Sequence, residues 1–374
     1  MIYRLIVFVF LLTFFLSCSH QKSSTAKEKG DTITLKYAEN LTMVRFSNYT
    51  LVDLKNPWKQ GKSLHRYIVL HNRHTVPSAS LPQGTIIKQP ISRSVVFGTA
   101  HASLLLMLKA HAQIAGVCDL KYMLLPTIHN QVKVGKIIDC GDGMMPDVEK
   151  IVEMGADALL VSPFENSGGY GALDKLGIPL IECADYMETS PLGRAEWMKF
   201  YGLLFGREKE ADSLFLEVET AYLKSKKEVN QIAYCPSVLT ERRTGTTWYV
   251  PGGRSTIAIM LKDAGAKYPF SDTSASGSIP MAFENVLEKA GESDVWIFKY
   301  NDKNDITRNE LSAEYGGYRT LKAFKTQNIW ACNASYKPYF EETPFRPDYL
   351  LKDFIILFHP SKNKQQLRYF KQVK

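Results

Sequence analysis

The hydrophobic pattern changes period several times along the chain. From Ser94 onward, short continuous apolar runs alternate with segments of helical spacing. "SVVFGT" (94–99) reads as a buried strand and "HASLLLMLKAHA" (101–112) as a helix. "IAGVCD" (114–119), "ADALLVSP" (156–163) and "IPLIEC" (178–183) read as further strands. "PDVEKIVEMG" (146–155) and "GYGALDKLG" (169–177) read as the helices between them. A helix at every connection predicts parallel strands with helical crossovers. Residues 31–90 behave differently: "ITLKYAENLTMVRFSNYTLVDL" and "LHRYIVLHN" predict antiparallel edge strands, punctuated at Asn56-Pro57 and 81–84.

The alternation stops at Ser190-Pro191, an N-cap followed by proline at the first helical position. "PLGRAEWMKFYGLLFG" predicts a helix stopped at Gly206. Beyond it, Ala211, Leu214, Phe215, Val218, Ala221 and Tyr222 keep 3.6-residue spacing against a charged face. That predicts one helix of about 23 residues, some 35 Å long at 1.5 Å per residue. Alternation then resumes. "IAYCPSVLTE" (232–241) is a strand, "GTTWYVPGG" (245–253) a loop, and "STIAIMLKDAG" (255–265) a helix. "MAFENVLEKAG" with "ESDVWIF" gives helix then strand, "IWACN" (329–333) a strand, and "PDYLLKDFIILFHP" (347–360) a last helix. The expected fold is α/β: two Rossmann-like lobes with mostly parallel sheets, joined by one long backbone helix, with a ligand cleft between them.

The chain start carries a different signal. Arg4 precedes the 12-residue apolar run Leu5–Leu16, which is too short for a stable membrane span and suits a secretory leader. Ser17-Cys18 follows at once and resembles the lipobox of bacterial lipoproteins, with Phe15 in place of the usual leucine. The resemblance implies acylation at Cys18 and anchorage through it. The polar stretch 19–30 reads as a flexible tether. The expected organisation is a leader over 1–18, the tether over 19–30, a first lobe over 31–190, a helical segment over 191–230 and a second lobe over 231–374. The expected location is the periplasm or cell envelope.

Composition removes several classes. The net charge of +8 is spread along the chain, without a basic stripe carrying RNA-motif aromatics, so nucleic acid is not an expected partner. Cys118, Cys140, Cys183, Cys235 and Cys332 form no C-x-x-C pair. Their odd number leaves at least one free, and most read as small buried apolar residues. No phosphate loop, G-x-S-x-G elbow or H-E-x-x-H motif occurs, so no enzymatic role and no resident cofactor or protein-held metal is expected.

Six stretches in order resemble the helical-backbone (class III) substrate-binding proteins of ABC importers, which serve ferric siderophores, haem and cobalamin. They are "SVVFGTAHASLLLMLKAHAQIAGV", "DVEKIVEMGADALLV", "PLGRAEWMKFYGLLFGREKEAD", "WYVPGGRSTIAIMLKDAGAKY", "FENVLEKAGESDVWIF" and "RPDYLLKDFIILFHP". The resemblance covers roughly residues 85–360. It implies capture of a small-molecule metal complex and delivery to ABC permease subunits with their ATPase. The three ligands share this scaffold, and the arginines of the candidate loops rank a ferric siderophore first, haem second and cobalamin third. The resemblance also gives meaning to a repeat: Glu149 and Glu284 head matching segments 135 residues apart. In the family each lobe carries a surface glutamate that meets arginines on the permease, and these two occupy the matching places. The rival expectations are a scavenging surface lipoprotein without a permease and an enzyme on the same fold.

Ligands of open α/β sheets sit beyond the carboxyl ends of the strands. That rule nominates Thr99, His101, Tyr122, Phe164, Glu165 and Tyr186 in the first lobe. In the second it nominates Arg242, Trp248, Tyr249, Tyr300, Tyr336, Tyr339 and Arg346. Flat rings suit a macrocycle or catecholate, and guanidinium groups suit an anionic chelate.

Overall fold

The structure is a computed structural model that describes residues 29–71, 81–165, 169–229, 232–360 and 366–374. The leader, Cys18 and most of the tether lie outside the described residues.

Residues 31–88 build a five-stranded sheet in sequential order. Along Tyr49–Lys55 the side chains of Thr50, Val52 and Leu54 turn inward, the period-2 burial of a half-covered strand. The strands Asp31–Ile33, Leu41–Arg45, Tyr49–Lys55 and Ser63–Leu70 pair antiparallel, as expected. Thr85–Lys88 departs from the expectation and pairs parallel to Ser63–Leu70. A two-residue turn forces reversal, whereas the long connection between these strands lets the chain return in the same direction.

The first lobe holds an all-parallel sheet in the order 180–182, 158–161, 94–96, 114–117, 138–139. Val95, Val96, Leu159 and Leu160 are fully buried. Layers cover both faces of this sheet, which is why its strands read as unbroken apolar runs.

The expected helix over 191–205 is two segments, Pro191–Glu196 and Met198–Phe205, and Gly206 ends the second in the left-handed conformation at φ +64°. The backbone helix Glu208–Val229 then runs for 22 residues and buries Ala211, Phe215, Val218 and Tyr222 along one side. Three carboxylates tie the N-terminal sheet to these helices. Buried Glu196 accepts the backbone N–H groups of Lys36, Tyr37 and Ala38 at 2.8–3.0 Å. Glu188 accepts those of Glu39 and Asn40, and Glu219 accepts the Lys36 ammonium and the Tyr37 hydroxyl. This segment pairs with no strand, so charge-assisted bonds take up its donors.

The second lobe has a parallel sheet of Val238–Thr240, Val295–Tyr300 and Ile329–Asn333, with Lys371–Gln372 antiparallel at one edge. The stretch expected as a loop, "GTTWYVPGG", is corrected by the structure. Thr247–Pro251 is the central strand of a three-stranded antiparallel sheet with Arg243–Thr244 and Ser278–Met281. Trp248 faces in, Tyr249 out and Val250 in. Gly245 at φ +61° makes the tight turn that starts the strand. The last helix, Pro347–Phe358, buries its apolar side against the backbone helix. All five described cysteines are free, and four of them are buried.

Candidate functional site

A cavity of about 650 Å³ lies between the lobes. The first lobe supplies its wall from residues just past strand ends: Gly98 and Thr99 after 94–96, Ser162 to Phe164 after 158–161, and Asp185 and Tyr186 after 180–182. The second lobe supplies Thr256, Ile257 and Met260 from the first two turns of the helix Thr256–Asp263, Lys299, and Tyr339 and Phe340. Pro191 and Arg194 of the helix Pro191–Glu196 add to the lining, as do Pro347 and Leu350 of the last helix. Strand-end wiring in the first lobe meets helix-borne apolar groups from the second, and most of the wall is apolar.

The polar part of the lining is a buried charged cluster. The Asp185 side chain has no solvent exposure. Its Oδ1 is 2.7 Å from His101 Nε2 and accepts the Tyr201 hydroxyl at 2.9 Å. Its Oδ2 accepts Arg194 Nε at 3.1 Å. Burial opposes the charge on His101, but its interactions with Cys183 and the Asp185 carboxylate outweigh that cost and raise the imidazole to about 10. Burial likewise opposes charge on Asp185, and the neighbouring His101 and Arg194 cations still lower its carboxyl below the usual range. The rings of Tyr201 and Phe345 enclose the imidazole. His101 Nδ1 is buried without a hydrogen-bond partner among the described residues.

Arg194 is anchored through one nitrogen only. Its side chain keeps a quarter of its exposure, and among the described residues no hydrogen bond engages its terminal nitrogens. A guanidinium fixed at Nε with a free fork presents two donors of set direction to an anion. Lys299, the lysine of the lining, is taken by Glu241. Across the mouth, Glu341 of the second lobe accepts the Thr99 hydroxyl at 2.8 Å and the Leu124 N–H at 2.9 Å, which ties the lobes together.

Of the residues nominated from the sequence, the structure brings Thr99, His101, Phe164 and Tyr186 to the cavity, together with Tyr339. The others stand elsewhere. Glu165 is exposed beside Phe164 and off the lining. Tyr122 is exposed under the Lys121 ammonium. Arg242 pairs with Glu314 and lies over Phe298. Trp248 is fully buried in a core of aromatic rings, with its indole N–H donating to the Thr240 carbonyl at 2.9 Å. Tyr249 is on the outer side of that strand. The Tyr300 hydroxyl accepts the Ile306 N–H, and Tyr336 caps the 302–304 loop through Lys303 and Asn333. Arg346 makes a bidentate pair with Asp348 and also meets Glu217.

Arg194, Asp185, Lys299 and the apolar groups of the helix Thr256–Asp263 are among the cavity residues that the strand-end rule did not nominate. Asp185 adjoins nominated Tyr186, and Arg194 is one turn past Ser190-Pro191. Glu149 and Glu284 each lie in the first turn of a short helix, Val148–Glu153 and Phe283–Ala290. Both are exposed, and among the described residues neither carboxylate has an ion-pair partner. No described group of three His, Cys, Asp or Glu side chains is placed to hold a metal ion.

A family model described as periplasmic binding protein matches residues 95–336. An uncharacterized lipoprotein of Methanocaldococcus jannaschii is 27% identical over 367 residues, covering 92% of this chain and 86% of the relative. Among solved structures, a periplasmic heme binding protein from Pseudomonas aeruginosa superposes with TM-score 0.58 at 15% identity, covering 76% of this chain and 98% of the other. An ABC-type Fe3+-hydroxamate transport protein from Saccharomonospora viridis gives TM-score 0.57 at 18% identity, covering 72% and 94%. At these identities the superpositions establish a shared fold.

Proposed function

This chain belongs to the periplasmic binding protein family, and from that premise we propose that it captures an anionic iron complex, a ferric siderophore first, and delivers it to an ABC permease. The observation that carries the ligand class is Arg194, held by Asp185 at one nitrogen and without a hydrogen-bond partner at the others among the described residues, in a cavity whose exposed wall is mostly apolar. A volume of about 650 Å³ lies within the range of ordinary ligand sites. Phe164, Tyr186, Tyr339 and Phe340 offer ring faces to a planar or catecholate ligand. Haem is the second candidate, because its apolar macrocycle suits Ile257 and Met260 while its carboxylates suit Arg194. Cobalamin ranks third.

Intrinsic fluorescence titration of the chain from Asp31 against ferric siderophores, haemin and cobalamin tests the reading. Arg194→Gln removes a charge-assisted anchor of ~1.5–3 kcal/mol and is expected to weaken binding of the ferric chelate about 10- to 100-fold. Tight cobalamin binding with no response to any iron complex would reverse the order of ligands.

Delivery rests on the exposed pair Glu149 and Glu284, one in each lobe. Interfacial ion pairs couple by ~1.5–7 kcal/mol, whereas exposed pairs inside a fold contribute ~0.2–1. The double substitution Glu149→Ala, Glu284→Ala is expected to leave folding and ligand affinity intact and to cut transport at least tenfold. Wild-type uptake by the double variant would remove the docking role. In this reading the lobes divide at 31–190 and 231–374, and Cys18 carries the lipid that holds the protein at the envelope. Loss of envelope retention in Cys18→Ala checks the anchor.

A further inference from the structure

A second compartment adjoins the cleft. It has a volume of about 860 Å³ and lies wholly within the first lobe. It shares Ser162 and Phe164 with the inter-lobe cavity, so the two adjoin at that wall. Phe97 and Val161, at the carboxyl ends of two parallel strands, form one side, and Met144, Met145 and Val148 form the other. Its lining is predominantly apolar.

The methionines sit on a built hairpin. Gly141–Asp142 pairs antiparallel with Met145–Pro146. The Asp142 carboxylate accepts the Met144 N–H at 2.9 Å, which fixes the turn. Asp119 donates its N–H to the Gly141 carbonyl and Asp147 donates to that of Cys140, so the hairpin is pinned at both ends. Gly143 lets the Asp119 carboxylate tuck beneath it, since a Cβ there would come within 2.6 Å of Oδ2. This rigid support holds Met144 79% and Met145 84% exposed. Adjacent exposed methionines on a fixed turn, facing an apolar trough, have the character of an adaptable contact surface.

We infer that this compartment is an extension of the ligand site that receives an apolar arm of the bound complex, such as an acyl chain on an iron chelate. The inference rests on the ligand class proposed above and narrows it to amphiphilic chelates. Its occupant is ligand because the trough lies at strand carboxyl ends and borders the cleft at Ser162 and Phe164. The anionic head meets Arg194, and the arm runs past Phe164 toward the methionine hairpin.

The test compares two ferric tris-catecholate chelates with the same anionic iron core, one carrying an N-acetyl arm and one an N-octanoyl arm, against wild type and Met144→Ser, Met145→Ser. Wild type is expected to bind the octanoyl chelate at least tenfold more tightly. That is ~1.4 kcal/mol, the burial of about two methylenes. The double variant is expected to keep its affinity for the acetyl chelate within twofold, which shows that the cleft is folded, and to lose the octanoyl preference to within threefold. Equal affinities of wild type for both chelates would overturn the inference and leave the ligand class standing. Failure of wild type to bind either chelate would overturn both. A double variant that binds both like wild type yet fails in transport would also overturn it and assign the hairpin to the permease.

Discussion

Replacing Asp185 by alanine is expected to destabilise the fold by about 3–5 kcal/mol, the range for removing one partner of a buried ion pair. The magnitude follows from what the carboxylate holds. It faces the His101 imidazole at 2.7 Å, the Tyr201 hydroxyl at 2.9 Å and Arg194 Nε at 3.1 Å, with no exposure of its own. Without it a buried imidazolium and a half-buried guanidinium face each other with nothing between them. Asp185→Asn keeps the shape and one of the two acceptor oxygens, turning the other into an N–H donor, and should cost less than alanine because the remaining oxygen can still take the Tyr201 hydroxyl. Urea denaturation of both variants separates lost charge from lost volume. An alanine variant within about 1 kcal/mol of wild type would show that the cluster breaks even against its own desolvation.

The same cluster sets a pH dependence. Folding raises the His101 imidazole from 6.5 to about 10, so the folded state holds this proton more tightly than the unfolded chain does. Its contribution is complete below pH 6.5 and declines as pH rises toward about 10. Within that window the slope approaches about 1.4 kcal/mol per pH unit for a single group. Asp185, whose carboxyl is lowered below 3.8, contributes above that pH and loses its contribution as acid protonates it. Unfolding free energy should therefore fall across the alkaline window in wild type. It should run flatter in His101→Gln, where no proton is released.

The layered framework was legible because its physics is written locally. Parallel strands covered on both faces need unbroken apolar runs, and the backbone helix needs Ala211, Phe215, Val218 and Tyr222 on one stripe. The site was legible mainly in the first lobe, with Tyr339 the nominated residue that the second lobe brings to it. Short loops in the first lobe hand Thr99, Phe164 and Tyr186 to the cleft directly from strand ends. In the second lobe the chain after Val238–Thr240 turns into the antiparallel sheet, which carries Arg242 and Tyr249 away. Part of its cavity wall comes instead from the helix Thr256–Asp263, whose apolar spacing looks the same whether it meets a core or a ligand. Arg194 was hidden for a related reason. It lies in a helix whose pattern marks a connector, and only the approach of Asp185 from another segment gives its charge a purpose.

Trp248 separates core from site most sharply, and Trp248→Ala is expected to destabilise the fold by about 3–5 kcal/mol. The indole is fully buried, with ring centroids 5.8 Å from both Trp296 and Tyr318 and 6.3 Å from Phe283. Its N–H is the donor for the Thr240 carbonyl at the end of a parallel strand. Truncation to alanine therefore opens a cavity among rings that cannot collapse into it and leaves a buried carbonyl without its donor. Trp248→Phe retains a ring and loses the N–H, which places its cost nearer the ~1–3 kcal/mol of an unsatisfied buried acceptor. Guanidinium unfolding measures both. The phenylalanine variant, still folded at 25 °C, should bind iron chelates within twofold of wild type, since Trp248 touches no part of the inter-lobe cavity. An aromatic anchor for the ligand would behave in the opposite way: stability near wild type for both variants, and a tenfold loss of affinity in Trp248→Phe. That outcome would return the residue to the site and require the lobes to open far enough to expose it.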